Sequence, residues 1–214
     1  MSELIPWLTL FGLGAYHGIN PGMGWLFAVA LGLQEKKRRA VLAAIPPIAL
    51  GHALSIGIAV GLLYVAQASV PHAALRYGAA AVLFGFGFYR LFRSRHPKWV
   101  GMRVGFVDLT IWSFLMASAH GAGLMLVPVL LGWQTDSIHG AHSHIEGAGP
   151  ITAQPLKWLA VVGVHSSGYL LVALLVALLV YEKFGLAILR TAWFNLDLVW
   201  MIALMVSGIL ILIL

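Results

Sequence analysis

Apolar stretches about as long as a bilayer is thick follow one another along this 214-residue chain. A helix needs about 20 mostly apolar residues to cross the hydrocarbon core of a membrane. We predict six such spans, over residues 4–33, 40–66, 74–92, 108–132, 155–181 and 187–213. With 61% hydrophobic and 9% charged residues, the chain is too apolar for a soluble globule. The sequence predicts an all-α polytopic membrane protein, with residues 1–214 forming one transmembrane domain.

The basic residues indicate which way the spans run. All 13 Lys and Arg residues except Arg76 and Lys157 lie in or beside the first, third and fifth predicted loops, the third covering residues 93–107. The positive-inside rule makes these loops cytoplasmic, so both termini are predicted on the exterior or periplasmic side of a bacterial-type inner membrane. Topology and lipid headgroups explain this charge, so the bilayer is a predicted partner and nucleic acid is not. The first residues lack the basic segment of a cleavable signal peptide.

Two histidine motifs occur twice in the same order, within predicted spans one, two, four and five. Ala-Tyr-His-Gly is followed by Gly-His-Ala-Leu-Ser in the first half, and Ser-Ala-His-Gly by Gly-Val-His-Ser-Ser in the second; the histidines are His17, His52, His120 and His165. Three spans per half would insert the second half upside down relative to the first. We therefore predict two inverted three-helix repeats, at about 4–92 and 108–213, with a substrate site at their interface.

Span one contains the sequence Asn20-Pro21-Gly22. Proline removes a helical hydrogen bond, and glycine removes side-chain restraint on the backbone. We predict a helix break at Pro21 and Gly22, where freed backbone groups face protein or a water-filled cavity. Span four has a similar weak point at Pro128, two turns after His120.

These features resemble the lysine-exporter superfamily, and the intramembrane histidines are most similar to its nickel/cobalt exporter branch. Met23 stands where amino-acid exporters of the superfamily have the second proline of Pro-Gly-Pro, and Pro21 stands where the nickel/cobalt branch has an Asp. The resemblance covers the architecture of the whole chain. It implies efflux of a nickel- or cobalt-like cation, with a role for His17 and, more loosely, for His52 in its Gly-His-x-Leu-Ser setting.

Ionisable residues inside a membrane usually line a cavity or pathway, and imidazole is a good ligand for Ni, Co, Cu and Zn. We predict that a divalent transition metal is a transported substrate, not a cofactor, and that it uses His17, Asn20, His52, His120 and His165. A histidine-rich exterior loop, 133–154, is predicted to collect or release metal through His139, His142, His144 and Glu146.

Two alternatives stay open. The chain could export a small organic solute such as an amino acid, with the histidines as hydrogen-bonding and proton-coupling groups. It could also be a membrane enzyme or complex subunit whose histidines hold a metal or haem. No Ser-His-Asp arrangement or phosphate-binding loop is visible in the sequence, so we do not expect an enzyme. The absence of cysteine excludes thiolate ligands, and the sequence leaves a homo-oligomer open.

Overall fold

A computed structural model describes residues 4–92, 104–139, 155–184 and 196–213. Within these ranges the regular structure is entirely helical, which confirms the all-α prediction. The first half contains α1 Leu4–Ile19, a 3₁₀ turn Pro21–Met23, α2 Trp25–Glu35, α3 Arg38–Ser69 and α4 His72–Phe92. The second half contains α5 Phe106–Ala119, a 3₁₀ turn Leu124–Leu126, α6 Val127–His139, α7 Pro155–Leu179, a π-helical turn Val180–Phe184 and α8 Leu196–Ile213.

Among the described residues, two helices are by themselves long and apolar enough to cross a membrane, over Arg38–Gln67 and Leu156–Phe184. A third span results if Phe106–Ala119 and Leu124–Trp133, which meet at a bend of 49°, are counted as one broken span. The helices Leu4–Ile19, Trp25–Glu35 and Met201–Ile213 are apolar but shorter. The apolar helices are therefore compatible with a membrane protein, while the six-span topology stays a prediction.

Helices of the two halves pack against each other in three pairs. α1 lies along α7, α3 lies along α5, and α4 packs against α8, where Arg76 also donates to the carbonyl of Leu212. The first two contacts depend on small residues: a methyl group at Gly14 or Gly51 would overlap the backbone of the opposing helix. Such residues let helix backbones approach closely where the surroundings are as apolar as the side chains.

The structure differs from the predicted boundaries at the exterior loop. α6 continues to His139, past the predicted end of span four at residue 132. His139 therefore ends a helix instead of lying in a loop. His142, His144 and Glu146 lie outside the described residues.

Candidate functional site

All four histidines of the repeated motifs are buried in the helix bundle. His17, His52 and His165 each have no exposed surface, and His120 has 1% of its surface exposed. A polar side chain buried in this way is costly unless its polar atoms have partners. The contacts of the ring nitrogens therefore indicate what the histidines can do.

Three of these histidines form a compact triangle. The ring centres of His17 and His165 are 5.0 Å apart, those of His52 and His165 are 5.5 Å apart, and those of His17 and His52 are 5.7 Å apart. The rings come from α1, α3 and α7, so both halves of the chain contribute. Metal–nitrogen bonds of about 2 Å in a tetrahedral site place the centres of two bound imidazoles about 5 Å apart. The triangle thus has the spacing of a three-imidazole metal site.

His120 lies beside the triangle, at the helix break. A methyl group added to Gly22 would lie 3.6 Å from Cε1 of His120, 3.7 Å from Cε of Met116 and 3.2 Å from Oδ1 of Asn20. The break adjoins the triangle, because the backbone amide of Asn20 donates to the His17 carbonyl at 3.2 Å. The structure therefore brings His17, His52 and His165 together and places His120 and Asn20 against the adjoining break.

Backbone carbonyls fix the tautomer of three imidazoles. In His17, Nδ1 lies 2.6 Å from the carbonyl oxygen of Leu13. The corresponding distance is 2.7 Å from His120 to Met116 and 3.1 Å from His165 to Leu10. A carbonyl oxygen can only accept a hydrogen bond, so each neutral ring must donate from Nδ1 and carry its lone pair on Nε2. Metal-binding histidines commonly donate their second ring nitrogen to such a carbonyl, which orients the ring.

His52 differs from the other three histidines. Neither of its ring nitrogens has a hydrogen-bond partner among the described residues. Its ring is stacked on Tyr169, with ring centres 3.8 Å apart and planes at 13°, and is nearly parallel to that of His165, at 9°.

The arrangement of the triangle differs from that of a formed metal site. Within the described parts of the chain, no group of three or more His, Cys, Asp or Glu side chains is arranged to hold a metal ion. The triangle has the required spacing, and His52 is the ring that can turn without breaking a hydrogen bond to the described residues.

Tyr169 is a site residue that the sequence analysis missed. Its side chain is 1% exposed, and its hydroxyl donates to the Met23 carbonyl at 2.6 Å. It follows His165 by four residues and therefore lies on the same face of α7, one turn further on. That spacing is a signal that could have identified it.

The break between α1 and α2 is built by local hydrogen bonds. Oδ1 of Asn20 accepts from the amide of Gly22 at 2.9 Å and so caps the 3₁₀ turn that contains Pro21. The Trp25 indole donates to the Ile19 carbonyl at 3.1 Å. These contacts and that of Tyr169 satisfy backbone groups that a continuous helix would have paired internally. The amide nitrogen of Asn20 is buried without a partner among the described residues, so a donor is available at the break.

A second break follows His120. Gly121 has φ +66° and begins a turn that leads to Leu124–Leu126. The bend in span four therefore lies at Gly121, not at the predicted weak point Pro128, which is inside α6. Each break begins within three residues after a histidine that donates to the carbonyl four residues before it.

No protein-family model, curated protein or solved structure matches this chain. The resemblance to the lysine-exporter superfamily therefore rests on sequence features alone.

Proposed function

We propose that this protein is a membrane transporter of a divalent transition-metal cation, which it carries through a site formed by His17, His52 and His165. The observation that carries the proposal is the buried triangle of imidazoles contributed by three helices. Helices from both halves of the chain meet at the triangle. A movement of one half relative to the other would therefore open the site to one side of the membrane or to the other.

The ligand chemistry favours a transition metal over Ca²⁺ or Mg²⁺. The triangle offers neutral nitrogen donors, whereas Ca²⁺ and Mg²⁺ prefer oxygen ligands. In His17 and His165, the nitrogen opposite the donating Nδ1 carries the lone pair that a metal requires. The resemblance to nickel/cobalt exporters makes Ni²⁺ and Co²⁺ the first ions to test and efflux the first direction to test.

The helix contacts support the inverted-repeat part of the proposal. The first helix of each half packs along the second predicted span of the other half, as α1 does with α7 and α5 with α3. The third predicted spans, α4 and α8, pack against each other. Exchanging the two halves reproduces this set of contacts, as two-fold symmetry requires. Together with the charge distribution, this arrangement supports six spans in an inner membrane with both termini outside.

One observation favours export of a small organic solute as a second candidate. The amide nitrogen of Asn20, the ring nitrogens of His52 and the hydroxyl of Ser166 are buried without hydrogen-bond partners among the described residues. Such donors and acceptors are suited to a polar solute as well as to a metal. If this candidate is correct, a small polar solute binds to these groups through hydrogen bonds, and metal ions do not affect its transport.

The test is metal flux into proteoliposomes that contain the purified chain, measured for Ni²⁺, Co²⁺, Zn²⁺, Mn²⁺ and Cu²⁺ with and without a pH gradient. His17→Ala and His165→Ala are compared with His72→Ala, because His72 is exposed at the start of α4. We expect flux of at least one ion, lost in the two core variants and kept in His72→Ala. If no ion crosses, or if the core variants transport like wild type, the metal proposal is wrong.

A further inference from the structure

The His52 ring differs from the other two rings of the triangle in what holds it in place. His17 and His165 are oriented by carbonyls of α1, whereas His52 has no hydrogen bond to the described residues. Its close neighbour is the Tyr169 ring. The two ring centres are 3.8 Å apart and the two planes are nearly parallel. The orientation of His52 therefore depends on an aromatic contact and not on a hydrogen bond.

Tyr169 is itself held firmly. It is buried, and its hydroxyl donates to the Met23 carbonyl in the turn that separates α1 from α2. α7 thus contributes one ring of the triangle, His165, and the ring that orients another, His52. The same tyrosine connects that orientation to the helix break.

We propose that Tyr169 is a positioning residue that holds His52 turned away from the coordinating orientation, so that metal binding and release compete with the stack. This inference rests on the proposed function. A transporter must release its cargo as well as bind it, and a ligand with a competing contact in the protein lowers affinity and speeds release. The hydrogen bond to Met23 makes this competition sensitive to the conformation of the break.

The magnitude follows from the strength of the contact. Aromatic pairs contribute about 0.5–1.5 kcal/mol beyond the area they bury, which corresponds to roughly two- to tenfold in a binding constant. Removing the Tyr169 ring is therefore expected to tighten metal binding by about that factor and to slow turnover. This direction is opposite to what loss of a merely structural residue would cause.

The experiment measures equilibrium binding of Ni²⁺, Co²⁺ and Zn²⁺, each alone, to the full chain in nanodiscs. Tyr169→Leu and Tyr169→Met remove the ring, while Tyr169→Phe keeps the ring and removes the hydroxyl. We expect tighter binding in the first two variants and affinity close to wild type in Tyr169→Phe. In a His52→Ala background, Tyr169→Leu is expected to have no further effect, because the ligand that the ring restrains is gone.

The possible outcomes separate the two proposals. If the wild type binds none of the three ions, this inference fails, and the proposed function fails for Ni²⁺, Co²⁺ and Zn²⁺. If the wild type binds metal but loss of the Tyr169 ring leaves affinity unchanged or weakens it, only the role of Tyr169 is overturned. The same holds if the effect of Tyr169→Leu persists without His52.

Should both ring-removing variants unfold, the wild type still gives a test. A ring stacked on a phenol has strongly displaced proton resonances in NMR spectra. In wild-type protein the His52 ring protons are expected to show this displacement without metal and to lose it when Zn²⁺ is added. A His52 signal that lacks the displacement, or that keeps it when Zn²⁺ is bound, contradicts the proposal.

Discussion

At the scale of single residues, the candidate metal site depends on which ring nitrogen of each histidine donates a hydrogen bond and which carries the lone pair. The repeated motifs selected four histidines from sequence, and the structure buries all four. The role of Tyr169 could not be derived in the same way, because its contact with His52 depends on how closely α7 approaches α3. The sequence also does not show which ring nitrogen donates, because the carbonyls of Leu10, Leu13 and Met116 determine this.

The tautomers give a prediction at this scale. In neutral, metal-free protein, His17, His120 and His165 are expected to carry their proton on Nδ1, because each donates to a carbonyl. ¹⁵N NMR of histidine-labelled protein distinguishes protonated from unprotonated ring nitrogens, with single His→Gln variants for assignment. Finding the proton on Nε2 in His17 or His165 would remove the lone pair that the proposed metal site requires.

At the scale of secondary-structure elements, local chemistry was informative where proline and a capping residue occur together. The break at Asn20-Pro21-Gly22 corresponds to a capped 3₁₀ turn in the structure. For span four the sequence indicates a weak point at Pro128, but the chain bends at Gly121. Proline can be accommodated within a helix of a bundle, and glycine accepts positive and negative φ alike. Sequence alone therefore did not show which of the two residues bends span four.

The break between α1 and α2 is expected to be sensitive at Gly24. This residue has φ +118°, and a methyl group there would lie 2.7 Å from Cγ2 of Ile48. Gly24→Ala should therefore destabilise the fold by about 1–3 kcal/mol. Gly57→Ala in α3 is the matched control, because a methyl group at Gly57 would meet nothing within 4 Å. Thermal unfolding in detergent should show a lower Tm for Gly24→Ala alone; equal values for both variants would contradict the described turn.

The contact between α1 and α7 gives a similar comparison within one helix. A methyl group at Gly168 would overlap the backbone of α1 at Phe11, whereas one at Gly163 would meet nothing within 4 Å. Gly168→Ala should separate the helices that carry His17 and His165 and cost about 1–3 kcal/mol. Gly163→Ala should leave Tm and metal binding close to wild type. Equal tolerance of both substitutions would mean that the two helices are not in close contact.

At the scale of the whole molecule, composition was sufficient for the all-helical class but not for the number of spans. Two of the described helices are long and apolar enough to cross a membrane, or three with the bent pair. α1 and α2 are each shorter than a bilayer is thick, so neither is counted alone. A broken span is visible in sequence only as one long apolar stretch. Each of its two short helices is shorter than the bilayer is thick, even where the two together are long enough to cross it.

The absence of cysteine makes the topology directly testable. Single cysteines introduced by Lys37→Cys and Arg95→Cys should react with a membrane-impermeant maleimide only from the cytoplasmic side. A cysteine introduced by Ser143→Cys should react only from the exterior, because it lies between the fourth and fifth predicted spans. Labelling of positions 37 and 143 from the same side would contradict the inverted arrangement of the halves.

The central claim is that buried imidazoles bind the transported cation, and X-ray absorption spectroscopy of the metal-loaded protein tests this claim most directly. We expect at least three nitrogen ligands at about 2.0–2.1 Å for zinc, with the multiple-scattering features of imidazole rings. His165→Ala should lose one of these ligands, whereas His72→Ala should leave the spectrum unchanged. A first shell made of oxygen alone, or a spectrum unaffected by His165→Ala, would contradict the assignment of this histidine triangle as the metal site.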